Sequence, residues 1–556
     1  MASKQHHYKN DKKQYNIMKK SILLAAALVM SCAVFAQKDS LDAVIHVENA
    51  YTPVVTKATK KGFTPQTEES ATQAPLELDF SRTSNPFKGF TSERDVTELL
   101  PGQKESLPGY VRVGYGNGNN ADALASYIYN ITKRDKIKAV ASIKGYSREI
   151  DGVLGKWDSR FFSSWASTDY SHQFDKLLLG TTATFENNVF NYQTTLPTDK
   201  QNNMKYSAAV YGESRLAGPF AYDFKVGYAH SGYKHALQQD DRIAENRLYA
   251  EGGIKREFDG EIFNNINLGA KVNYYSYKNY TPLENFLSTD LNPFTNITIE
   301  NFRIHIGANV NILTGNGALF AITPDLSVEA TMSKSVTLYG SIKGERKPAT
   351  FASFELENPY WASGTEKPEH TIADITAGAR ITNESLSVDI FAGYAYTKDN
   401  LLFDYLAMEI PTAPDFTDRF VHAIAFSENT ARLYTGAQAK YDYEGWLKTE
   451  GAVKYNYWKC DNKAALLMKP EFELNLAAEA RMLDDFYVTL AYNFATYGHD
   501  VPSLNKNELN LRTSYKMMER FGAYIEGNNL LNRKYFKYAG YYNQGINILF
   551  GLSASF

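Results

Sequence analysis

No segment of the sequence reaches the ~18 consecutive apolar residues that a membrane-spanning helix requires, so no transmembrane helix is expected. Cysteine is nearly absent, with Cys32 and Cys460 the only two. Cys32 falls in a leader described below, which leaves Cys460 alone in the mature chain and excludes an internal disulfide. Charge of one sign is missing as well. A net charge of −3 over 556 residues offers nothing to a polyanion, so nucleic acid is not expected as a partner. Clustered chemistry is also lacking. His230, His235, His305, His370, His422 and His499 are scattered, with no metal-ligand spacing and no nucleophile elbow. His499-Asp500 is the best catalytic candidate among them, and a solvated loop pair explains it more simply. Gly114–Gly118 is glycine-rich but lacks the strand–loop–helix context of a phosphate loop, and a strand ending in an external turn accounts for it. The reading is of a non-enzyme, with no catalytic residue, metal or cofactor.

Aromatic residues are what the chain has in excess. They make up 14% of it, with 39 Tyr and 32 Phe, while mean hydropathy stays at −0.40. Helical membrane proteins are less polar than this, and soluble enzymes seldom carry so much tyrosine. The combination suits a β-barrel with a lipid-facing apolar band, aromatic girdles and a wet interior.

The stretch "MKKSILLAAALVMSCAVFAQ" begins at Met18. Lys19 and Lys20 supply the positive start of a secretory signal, Ile22 to Met30 its apolar core, and Val34-Phe35-Ala36 the small-residue cleavage pattern. Cleavage after Ala36 is expected, leaving Gln37 as the mature start, with the upstream residues 1–17 an extension of the start. A competing reading lipidates Cys32, but Met30 fits the required box poorly.

From Gly109 onward the sequence alternates. Phe220, Tyr222, Phe224, Val226 and Tyr228 interleave with Ala221, Asp223, Lys225, Gly227 and Ala229; Phe486, Val488, Leu490, Tyr492 and Phe494 do the same with Tyr487, Thr489, Ala491 and Asn493. Period 2 over nine or more residues is long for a globular strand and right for a bilayer. The second faces carry Lys, Glu, Asp and Asn, so both faces cannot lie in one dry core. Short polar turns, such as Asp175-Lys176, Asn383-Glu384 and Glu444-Gly445, alternate with longer stretches near 149–157, 191–204, 233–243, 278–297, 348–371, 399–420 and 532–543. In outer-membrane barrels the short turns are periplasmic and the long loops external. About 21 strands can be placed, an odd number that such barrels avoid. The up and down senses collide between Lys278 and Lys334, so "ITIENFRIHIGANVNILTGNGALFAITPDLSVEAT" must hide one more crossing. The expected fold is all-β: a transmembrane antiparallel barrel of 22 strands, with 20 as the fallback. Residues 1–36 form the extension and leader, 37–108 an irregular periplasmic or lumenal segment, and 109–556 the barrel.

The end of the chain sharpens this. "YIEGNNLLNRKYFKYAGYYNQGINILFGLSASF" resembles the last two strands of TonB-dependent receptors, through Asn529-Leu530-Leu531-Asn532-Arg533-Lys534-Tyr535, then Gly540-Tyr541, then a strand ending in Phe556. "LPGYVRVGYGNGNNADALASYIYN" and "ENPYWASG" look like stretches in plug-less relatives of that family. The resemblance implies a cell outer membrane location and a transport role. It also implies contact with outer-membrane lipids, and recognition of Phe556 by the barrel-assembly machinery. It implies a globular plug too, yet Gln37 to Pro108 show no sheet pattern, which puts coupling to the TonB energiser in doubt. "SLDAVIHVENAY" resembles the family's coupling box and reads equally well as a chance apolar strand. Within the external stretch "FASFELENPYWASGTEKPEH", Tyr360 and Trp361 are the candidate ligand-binding residues, suited to stacking on a sugar or an apolar ligand. They could equally belong to a girdle or pin the loop against its neighbours. Two functions follow: nutrient uptake or ligand docking at the cell surface, or a structural barrel that scaffolds a surface lipoprotein, a periplasmic partner or an envelope complex.

Overall fold

A computed structural model describes residues 107–556, apart from 196–199, 216–219, 235–241, 259–262, 264, 316–318, 414–415 and 498–504. The expectations placed on the leader, the Ala36/Gln37 junction and the segment up to residue 106 lie outside the described residues, as do His235 and His499-Asp500.

The chain forms a closed antiparallel wall of 22 strands in which every strand pairs with its neighbours in sequence. The seam joins the first strand, Gly109–Gly116, to the last, Asn547–Ser555, from Tyr110 opposite Ser555 to Gly116 opposite Leu549. Phe556 completes it: its N–H donates to the Gly109 carbonyl at 3.0 Å, and its own carbonyl accepts from the Gly109 N–H at 2.8 Å. The Phe556 ring lies over Gly109, where a Cβ would have no room, and stacks at 6.1 Å from Tyr127. A closed wall leaves no backbone polar group facing lipid unpaired, the condition for crossing a bilayer with strands.

Side chains sort as the alternation predicts. On Phe486–Tyr497, Leu490 is 46% exposed on the outer face while Ala491, its neighbour, is 2% exposed on the inner one. On the last strand Phe550 and Leu552 point out, and Asn547, Ser553 and Ser555 point in.

The hidden crossing lies where the parity conflict placed it. Phe286–Ile299, Phe302–Leu313 and Phe320–Thr331 are three separate wall strands. The turn between the first two is only Glu300-Asn301, with Glu300 in the left-handed region at φ 46°. The expected external loop 278–297 is corrected accordingly: its connection is 279–285, and the rest is wall. The stretch 149–157 is likewise a tight turn at Val153-Leu154 between two tall strands, Asp135–Gly152 and Gly155–Gln173.

The largest departure is 399–420, expected as a loop. It belongs to two strands of 28 residues each, Leu386–Ala413 and Phe416–Tyr443. Their lower halves are wall, paired from Leu386 opposite Tyr441 to Thr397 opposite Thr430. There the register shifts, Asp399 adopts φ 52°, and pairing resumes at Asn400 opposite Glu428. Both flanking wall strands stop pairing at this level, at His370 opposite Lys398 and Thr430 opposite Cys460. Beyond it the two arms leave the wall as a free hairpin.

Candidate functional site

The external connections converge on the mouth of the barrel and pack there into two aromatic clusters. The segment 350–364 supplies much of the first. Thr350 caps the helix Phe351–Glu357 through a reciprocal pair with Ser353, so this short helix has a satisfied N-terminus. Phe351 and Phe354 on one face of the helix are fully buried and pack with Trp361, Tyr233, Ile243, Leu283 and the hairpin residues Leu401, Phe403, Ala423 and Ala425. From the helix itself, Glu355 accepts from Lys205 at 2.7 Å, from the Tyr233 hydroxyl at 3.0 Å and from the Asn188 amide at 3.1 Å. Glu245 accepts the Phe351 N–H at 2.8 Å. One carboxylate of the helix and one of the wall therefore hold this helix down.

Tyr360 and Trp361 both lie here, each 3% exposed. Trp361 joins the first cluster: its ring centroid is 5.1 Å from Phe351 and 5.3 Å from Phe354, and its indole N–H donates to the Tyr233 hydroxyl at 3.1 Å. Tyr360 belongs to the second cluster, with Phe190, Tyr192, Val421 and Tyr541. One of its faces is covered by the Tyr541 ring at 3.8 Å and 6°. Two adjacent residues thus point into different clusters, and in this arrangement neither ring is open to the exterior. Burial raises the Tyr360 phenol well above its ordinary pKa and pushes Tyr280, which accepts the Gly364 N–H at 2.8 Å, up to about 12. Both stay neutral hydroxyls at any physiological pH.

The free hairpin spreads over both clusters with one face. Leu401, Phe403, Ala423 and Ala425 cover the first, and Val421, Tyr405 and Ala407 reach the second. A short parallel strand, Trp361–Ser363, adds to its edge at Ala423 and Ile424. Its other face carries Leu406, Met408 and Ile410, all exposed. His422, 7% exposed, sits in this part of the hairpin clear of the membrane-spanning wall, and burial lowers its pKa.

Below the mouth the lumen is polar. A cavity of about 1670 Å³ runs along one side of it, lined by Lys225, Lys271 and Arg346 and by Glu251, Asp290 and Asp325 among others. Both signs of charge are interleaved, so this side of the lumen favours neither anions nor cations as a class. Among the described residues no group of His, Cys, Asp and Glu is arranged to hold a metal. Cys460 is a half-buried free thiol at the external end of its strand.

Sequence reasoning singled out Tyr360 and Trp361, and passed over Glu355 on the helix and the wall residues Glu245 and Lys205. Lumen-facing charges are everywhere in such a sequence, and nothing local marks those that meet a loop helix more than a hundred residues away.

The fold is that of the TonB-dependent receptors. Over the barrel the chain superposes on the ferric enterobactin receptor of Pseudomonas aeruginosa, with a TM-score of 0.61, 13% identity, and coverage of 81% of each chain. It also superposes on the siderophore receptor PirA of Acinetobacter baumannii, with a TM-score of 0.62 and 10% identity over 83% of this chain and 81% of that one. The copper transporter OprC gives 0.60 and 13%, over 83% and 82%. No family model and no curated protein sequence matches the chain.

Proposed function

We propose that the protein is an outer-membrane barrel that admits or docks a nutrient at the cell surface. The observation that carries this reading is the mouth: a polar lumen lies beneath external loops that pack into an aromatic closure. A wall of 22 strands encloses a bore that must be filled or covered, since natural barrels of this width are normally plugged. The named structural neighbours are receptors and a transporter, which supports an uptake role. In this proposal Tyr360 and Trp361 meet a ligand only when the loops part, and otherwise pin the closed arrangement. Phe556 is proposed as the signal read by the barrel-assembly machinery.

A second reading, a barrel that scaffolds a surface lipoprotein, is favoured by the exposed row Leu406, Met408 and Ile410 on the outer face of the hairpin. One experiment separates the two. The protein is purified from native membrane in mild detergent, and everything that co-elutes is identified. A retained small molecule supports uptake. A stoichiometric envelope protein with no small molecule supports the scaffold and overturns the first reading.

A further inference from the structure

Short of its tip, the free hairpin meets one particular place on the opposite rim. Phe420 forms an antiparallel bridge with Thr194, the Val421 N–H donates to the Gln193 carbonyl at 2.8 Å, and the Thr195 N–H donates to the Arg419 carbonyl at 2.9 Å. The Arg419 N–H donates to the Thr195 hydroxyl at 2.9 Å, and its guanidinium donates to the Leu154 carbonyl at 2.9 Å. The Tyr541 hydroxyl, from the last external connection, donates to the Val421 carbonyl at 2.9 Å.

Gln193 to Thr195 follow the fifth strand of the wall, Leu177–Asn191, whereas the hairpin rises from the fifteenth and sixteenth, Leu386–Ala413 and Phe416–Tyr443. The fifth and sixteenth strands are eleven places apart in a ring of 22, which makes them diametrically opposed. The reach fits. Strands spaced about 4.8 Å and tilted about 40° give a wall roughly 44 Å across. The extended arm from Thr430 to Phe420 covers about 33 Å at ~3.3 Å per residue, and the rim segment 192–195 leans in to meet it.

We propose that the arms 400–407 and 421–428 form a hinged strap that closes the mouth along a full diameter and opens by releasing its far end. The two ends differ in kind. The near end is two covalent chains leaving the wall at a register shift, where Asp399 already sits in the left-handed region. The Asp399 N–H donates to the Asn429 side chain and the Asn400 amide to the Thr430 hydroxyl, which keeps the bend local. The far end is held by a handful of backbone and side-chain hydrogen bonds at the rim and by the second aromatic cluster. The first cluster and the strand Trp361–Ser363 support the middle of the arm; an arm pivoting on a short bend and latched near its far end is the usual form of a hinge closure. Release at Gln193–Thr195 exposes Tyr360 and Tyr541, the rings the arm covers near its far end, without disturbing the wall. This holds whichever solute the barrel passes.

The test uses the full-length protein with Cys32→Ser and Cys460→Ser, so that introduced thiols are the only ones. Thr194→Cys with Phe420→Cys puts a cysteine on each side of an antiparallel bridge, within the span a disulfide bridges. In planar bilayers the reduced pair is expected to show transitions to an open level. The oxidised pair should lose them, and reductant should restore them. Separately, Lys271→Cys places a thiol in the lumen, and its labelling by an impermeant maleimide is followed on intact cells. Replacing 401–427 by a short Gly-Ser turn should raise that rate at least tenfold. Should the replacement fail to assemble, as judged by heat-modifiable migration, Thr195→Ala with Arg419→Ala takes its place, with a smaller rise in the same direction. Identical conductance in the oxidised and reduced pair, or an unchanged labelling rate in the variants that assemble, overturns the strap. Neither result depends on a ligand being found, so failure here is distinguishable from failure of the uptake proposal.

Discussion

Truncating Trp361 separates the stability of the closure from that of the wall. The indole is 3% exposed, lies 5.1 to 5.8 Å from the ring centroids of Phe351, Tyr233, Phe354 and Tyr280, and donates to the Tyr233 hydroxyl. Removing a buried Trp to Ala costs about 3–5 kcal/mol in a packed core, through lost transfer energy and the cavity left behind. Here that core belongs to the external connections, while the wall below rests on an uninterrupted hydrogen-bonded ring. The cost should therefore appear as local opening. At ~1.4 kcal/mol per factor of ten, Trp361→Ala should lower amide-exchange protection in 401–407 and 421–427 by at least about a hundredfold. Protection across 486–494 in the wall should not change. Trp361→Phe keeps a ring in place and loses the indole donor and some volume, so about 1–2 kcal/mol is expected. The measurement is hydrogen–deuterium exchange of the purified barrel, resolved by peptide. Unchanged protection in both hairpin arms would refute the claim that the aromatic cluster holds the closure. Equal loss in hairpin and wall would show that the two are one cooperative unit.

Four further outcomes are expected. Leu490→Arg, on the lipid face, should destabilise the barrel in denaturant titrations by about 2–4 kcal/mol if the site lies near the bilayer midplane, whereas Lys225→Arg inside should be neutral; equal tolerance would mean the faces are reversed. Deleting Phe556 should reduce the outer-membrane level and increase periplasmic degradation, as read by fractionation and immunoblot; an unchanged level would end its role as an assembly signal. The mature N-terminus should be Gln37 by mass spectrometry, and a lipid on Cys32 would refute that assignment. The buried His422 binds a proton less readily in the closed hairpin than when exposed, so closure is fully supported above the ordinary imidazole pKa and weakens as pH falls below it. Hairpin protection, corrected for intrinsic exchange, should drop between pH 7 and 5, and His422→Gln should flatten the change.

The wall was legible because lipid imposes a rule on every second residue. Alternation at Phe220–Tyr228 or Phe486–Phe494 can be read without knowing what the neighbouring strands are. Parity then recovered a crossing that local pattern concealed. Around Glu300 the apolar beat passes from Ile297 and Ile299 to Phe302 and Ile304 with only two residues between, and neither Gly nor Pro marks the turn. The strap was not legible. Both faces of its base are covered, so Leu401, Leu402 and Phe403 are buried in succession and the alternation fails. A run of that kind reads as a loop when its covering residues lie at positions 233, 351 and 539. Tyr360 and Trp361 stood out as aromatic residues in an external stretch, but their division between two clusters depends on partners far away in the chain.

Such a wall is one strand thick, which makes it a wide, thin cylinder. Cylinders of that kind resist stretching along the strands well and resist flattening poorly, since ovalising the rim breaks no backbone hydrogen bond. A tie between diametrically opposed points removes the softest of those deformations. The hairpin bonded to Gln193–Thr195 is placed as such a brace. The shape of the rim and the state of the hairpin are then mechanically one variable: whatever squeezes the cylinder from its sides, a neighbouring protein or a change in lateral membrane pressure, also loads the far-end bonds.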